Sequence, residues 1–135
     1  MRILLSTVLL CFSACAHAQT QSVLPSAAGL WQFGRYSAWV LIGRDGTAFQ
    51  CRVAPNRTVY ASQGSFATPD AIHWQKIWGV DQVSLHEEVL VLKGRYGSFE
   101  FRRTSQAMEA ACMAARQADT SSERERVPPA DQLKR

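Results

Sequence analysis

Between Gly29 and Arg103 the apolar residues come in short runs or alternate with polar ones, and turn-forming residues interrupt them every several positions. Alternation buries one face of a strand, so this patterning predicts short β-strands. The runs place them at 30–33, 38–42, 47–53, 58–62, 65–67, 71–78, 82–86, 89–93 and 98–103. Their short connections make sequential strands antiparallel neighbours. After Arg103 the period changes. Thr104-Ser105 offers a cap, Glu109 suits a first helical turn, and 106–117 is rich in alanine. Met108, Ala111, Cys112 and Ala115 share one helical stripe. The expected fold is mainly β: an antiparallel meander or small β-barrel of about eight or nine short strands, with one C-terminal α-helix.

Two hairpins can be read in register. Arg44-Asp45-Gly46-Thr47 centres a turn on Asp-Gly, which suits a two-residue type I′ connection. It pairs Ile42 with Phe49, Val40 with Cys51 and Ala38 with Val53 on a buried face. On the other face it pairs Leu41 with Gln50 and Trp39 with Arg52, the latter as a cation–π contact. A second turn at Gly79-Val80 pairs Trp74 with Leu85, His73 with His86 and Gln75 with Ser84, and sets Lys76 opposite Val83 on the apolar face.

The first 18 residues read as a secretory signal peptide: Arg2, an apolar stretch from Ile3 to Phe12, and the small-x-small site Ala16-His17-Ala18. That stretch is shorter than the roughly 20 apolar residues a spanning helix needs, and no later segment comes closer. Phe12-Ser13-Ala14-Cys15 offers a competing reading, a lipoprotein signal acylated at Cys15. The organisation that follows is a leader at 1–18, a flexible segment at 19–28, a barrel with its helix at 29–117 and a disordered tail at 118–135. Loss of Arg2 takes the formal charge from +4 to +3, which is too weak to argue for nucleic acid.

Removing the leader also removes Cys11 and Cys15 and leaves Cys51 and Cys112. Two cysteines in an exported domain most simply form one disulfide. With Cys51 on the apolar face, that bond draws the helix onto the same face. The helix then either caps an open barrel mouth or packs on a curled, incomplete sheet. Met108 and Met113 fill the interior, no large cavity remains, and binding falls to outer surface and loops.

Gly29-Leu30-Trp31 on the first strand and Phe101-Arg102-Arg103 on the last resemble the small bacterial lipocalin-like, or calycin, barrels over residues 29–103. Asp45-Gly46-Thr47, Gly64-Ser65-Phe66 and Asp70-Ala71-Ile72 fit the same meander. The resemblance implies a barrel closed at one end by a basic residue lying across the Trp31 ring. The strands are shorter than a full lipocalin's, which implies a shallower cup. Small barrel inhibitors of lysozyme share the size, the leader and a disulfide, but their Ser-Gly-x-x-Tyr signature is not found here.

No Gly-x-Ser-x-Gly, P-loop, Cys-x-x-Cys or His-Glu-x-x-His occurs, so no catalytic residue, metal ligand or cofactor is assigned. His73 opposite His86, with Glu88 beyond, reads as solvated side chains on an outer face and not as a metal site. Trp39, Arg52, Arg95 and Tyr96 are the candidate partner contacts, since Trp, Tyr and Arg dominate interface hot spots. The expected function is a non-enzymatic binding module of the cell envelope, periplasmic or secreted, engaging a protein such as an envelope hydrolase or toxin. Two alternatives stay open: a carrier of a small apolar ligand, and a structural or assembly lipoprotein anchored through Cys15.

Overall fold

The computed structural model describes residues 26–75 and 79–126, with side chains to Asp119. The leader, Cys15, Lys76, Trp78 and the tail beyond 126 lie outside the described residues. Eight strands run in chain order: β1 Gly29–Gln32, β2 Ala38–Ile42, β3 Thr47–Val53, β4 Val59–Thr68, β5 Ala71–Trp74, β6 Val80–His86, β7 Val89–Gly94 and β8 Gly97–Arg103. Each pairs antiparallel with the next. β8 returns to β1 through Trp31↔Arg103 and Gln32↔Arg102, so the sheet is a closed barrel. One helix, α1 Ala110–Arg126, follows. Among the described residues no helix is long and apolar enough to cross a membrane.

The β2–β3 register corrects the expected one by a single residue. Leu41 pairs with Phe49, Trp39 with Cys51 and Val40 with Gln50. The cause is the turn. Gly43 donates to the Thr47 carbonyl at 2.8 Å, which leaves a three-residue loop. Gly46 takes the left-handed conformation at φ 85, while Asp45 does not, so the loop is not type I′. The Asp45 carboxylate accepts from the Thr47 amide at 3.1 Å and its hydroxyl at 2.6 Å, which holds the tighter start of β3 and lowers the Asp45 pKa. A slip of one residue turns every side chain over. Phe49, Cys51 and Val53 therefore face outward with Trp39, and Arg52 faces inward.

This inversion moves the helix. Cys51 and Cys112 form the expected disulfide, with Cα atoms 5.8 Å apart, but on the barrel's outer wall. Met108 and Cys112 pack there with Trp39, Phe49 and Val53, flanked by Ala111 and Ala115. The helix neither caps the mouth nor fills the interior, and Met113 is exposed. Helix α1 starts four residues later than expected because Glu109, not Thr104, receives its first amides, from Cys112 and Met113. The Glu109 carboxylate ties this end to Ser37 at 2.5 Å and Arg57 at 3.3 Å. The helix also runs on to Arg126, past the expected tail boundary at 118.

Two further readings change. The expected strands at 58–62 and 65–67 are one strand, β4. Gly64 is not a turn but a close approach: a Cβ there would lie 2.6 Å from Trp74 Cε3. Strand β5 ends at Trp74, so His73 pairs with Val80, and His86 pairs with Val89. The expected His73–His86 pair does not form. The barrel core is Trp31, Val40, Ile42, Ile72, Val83 and Leu90 with their neighbours.

Candidate functional site

The two ends of the barrel differ. At the end where β1 begins, Trp31 points inward and is fully buried. Its indole donates to the Ala27 carbonyl at 2.8 Å. The Arg103 guanidinium lies 4.3 Å from the ring centroid and donates to the carbonyls of Ala28, at 2.9 Å, and Ser26. Glu88 stands 3.5 Å from Arg103 Nε. A Cβ at position 29 would sit 2.8 Å from Arg103 Nη1, and Gly29 has φ 135, so this chain path requires glycine. Bulk, charge and backbone hydrogen bonds together stopper this end.

Among the described residues the opposite end, at the β1–β2, β3–β4 and β7–β8 turns, is open. The inward positions here include Ala38 and Gly97, whose small size leaves room. The aromatic side chains at this end are Phe33, Phe99 and Phe101, with Phe33 stacked on Tyr36 at 5.5 Å and against Phe101 at 5.6 Å. Val40, Leu92, Phe99 and Phe101 form the apolar wall of a cup of about 530 Å³. That volume falls within the ordinary range for small-molecule sites, which begins at roughly 300 Å³. The expected filled interior is thus corrected: with the helix outside, the mouth stays open.

Gln50, Arg52 and Asp81 bring polar side chains to this apolar cup. Gln50 points in from β3, and its Nε2 is buried with no hydrogen-bond partner among the described residues. Such an orphaned amide costs free energy until something meets it. Arg52 lies 4.8 Å over the Tyr60 ring at the rim, where the sequence had paired it with Trp39. Asp81 is half-buried, and its Oδ2 accepts the Trp74 indole N–H at 2.8 Å. Burial pushes the Asp81 pKa up, and the Trp74 hydrogen bond offsets this only in part.

No family model, curated protein or solved structure matches the chain.

The residues singled out from sequence fall in different places. Arg52, Arg95 and Tyr96 gather at the mouth, with Arg95 5.7 Å over the Tyr96 ring and Tyr96 largely exposed. Trp39 borders the same cup, but it is only 5% exposed and packs in the cluster beneath the helix. Gln50 and Asp81 are not among the residues singled out from sequence. The one signal for Asp81 was its place in the alternation Asp81-x-Val83-x-Leu85, whose other members are core. Gln50 had the same signal, hidden by the one-residue slip.

The raised Asp81 pKa has a stability consequence. Folding takes up a proton between the ordinary carboxylate value of 3.8 and the higher folded value, so this group's contribution worsens as pH rises through that window. Above it the folded state carries a desolvated carboxylate. Asp81→Asn keeps an acceptor for Trp74 and removes that charge, so it should raise the urea midpoint at neutral pH. The advantage should shrink as pH falls toward the acid side of the window. A variant less stable than wild type at pH 7 would contradict this.

Proposed function

We propose that this chain is an exported, non-enzymatic binding protein of the cell envelope, built as a calycin-like barrel, that holds a small, largely apolar ligand in its open mouth. One observation carries the reading: an aromatic cup of about 530 Å³ that contains an orphaned amide, Gln50 Nε2. Apolar walls with a few converging polar groups are the usual make-up of a small-molecule site. The calycin assignment rests on Gly29, Trp31 and Arg103, whose mutual packing has the form that resemblance implied. Export rests on the leader read at 1–18. The absence of catalysis rests on the missing motifs, and the polar groups of the cup are suited to holding a ligand.

A second reading, engagement of an envelope protein, is favoured by the rim. Tyr36, Tyr60 and Tyr96 are exposed there beside Arg52 and Arg95. A titration with the neutral dye N-phenyl-1-naphthylamine separates the two. The carrier reading predicts saturable one-to-one binding with a blue-shifted emission. Phe99→Ala should weaken it about tenfold, the effect of losing most of one buried phenyl contact. Dye binding that is absent, or indifferent to Phe99→Ala, removes the carrier reading and leaves the rim as the site.

A further inference from the structure

The Asp81 carboxylate is positioned with more care than a surface acid needs. Two glycines and a tryptophan place it. Gly64 lets the Trp74 ring cross β4, since any Cβ there would also meet the His73 carbonyl at 2.8 Å. Trp74 then fixes Asp81 Oδ2 through its indole N–H. On the neighbouring side, a Cβ at position 94 would overlap Asp81 Oδ1, so glycine at that position clears the space the carboxylate occupies. The carboxylate is thereby turned into the cup and half-withdrawn from water.

It has no ion-pair partner among the described residues. The other charged side chain of the cup, Arg52, is exposed and lies on Tyr60. Half-withdrawn from water, hydrogen-bonded to Trp74 and facing the cup, this carboxylate is suited to pair with a cation there. The wall around it supplies the second half of a cation site. Phe99, Phe101, Tyr60 and Tyr96 present aromatic rings to the same cup, and ring faces attract ammonium groups once water is displaced.

We propose that the ligand of this cup is a small organic cation, an ammonium group on an aromatic or aliphatic body, whose charge pairs with Asp81. The body lies along Val40, Leu92 and the phenylalanines. The inference rests on the cup being the ligand site, and the test separates the two.

The neutral dye first reports on the cup, and three competitors of similar shape then displace it: 2-phenylethylammonium, 2-phenylethanol and 3-phenylpropionate. The ammonium should compete about tenfold or more better than the alcohol, and the carboxylate should be the weakest. Asp81→Asn should erase the preference for ammonium over alcohol, read as the ratio of the two competition constants measured on the variant itself. Its near-ultraviolet circular dichroism, compared with wild type, reports whether the fold is kept. Dye binding with ammonium and alcohol equal would overturn the cation assignment and spare the cup. Propionate as the best competitor would overturn it in favour of Arg52. Absence of dye binding would overturn both. A preference for ammonium that survives in Asp81→Asn would overturn the role of Asp81.

Discussion

Cys112→Ser should cost the folded chain about 2–5 kcal/mol, the usual range for losing a native disulfide in a small exported domain. Cys51 and Cys112 are 61 residues apart, and in the chain-entropy model closing a loop of that size contributes about 4 kcal/mol. Packing adds to this, because the bond holds the helix over an apolar outer wall. Trp39, Phe49 and Val53 are each less than a tenth exposed beneath it. A freed helix would expose that wall to water. Urea denaturation of wild type and variant measures the loss, and reduction of the wild type should reproduce it. The cup lies on the other side of the same strands, so dye binding should persist in Cys112→Ser under conditions where the barrel stays folded. A loss of under about 1 kcal/mol would mean that the helix holds its place without the bond.

The second large effect is expected at the stoppered end. Trp31→Ala should destabilise by about 3–5 kcal/mol, as for other large aromatics emptied from a core. Trp31 is fully buried and its indole N–H is paired with the Ala27 carbonyl, so truncation leaves both a cavity and an unpaired acceptor. Arg103→Ala should cost less, because its side chain is partly exposed. It still loses the ring contact and its bonds to Ala28 and Ser26. A double-mutant cycle isolates the contact, with an expected coupling of about 0.5–2 kcal/mol. Additive effects of the two substitutions would mean that Arg103 contributes only through the backbone it ties.

Much of the fold was legible in the order of residues, and the errors have local causes. The spans of β2 and β3 follow directly from apolar runs bounded by Gly43 and Ala54. The disulfide followed from cysteine count, and the stopper from Gly29, Trp31 and Arg103. What failed was the choice of face. In Ala38-Trp39-Val40-Leu41-Ile42 both faces are apolar, because the interior takes one and the helix covers the other. Hydrophobic pattern cannot then decide register, and the decision fell to the Asp45-Gly46 turn. Asp-Gly serves both a two-residue turn and a three-residue turn ending in a left-handed glycine. The difference is one residue, and it reverses Phe49 and Cys51 against Gln50 and Arg52.

The cup was less legible for a related reason. A polar residue at an inward position has the same pattern as one on the solvent face of a neighbouring register. Gln50 and Asp81 are recognisable only once the alternation around them is known. The β5–β6 connection added to this. Reading a tight turn at Gly79-Val80 carried β5 past Trp74 and set His73 against His86. The strand instead ends where Trp74 turns inward to meet Asp81.

The central claim is that ligand binds inside the barrel mouth and not on its outer wall. The most direct test is an amide and methyl NMR titration of the isotopically labelled protein with 2-phenylethylammonium. Shift changes should concentrate at Val40, Gln50, Asp81, Leu92, Phe99 and Phe101, with Met108 and Cys112 unmoved. Changes confined to Tyr36, Arg95 and the helix side, with the inward residues silent, would contradict it.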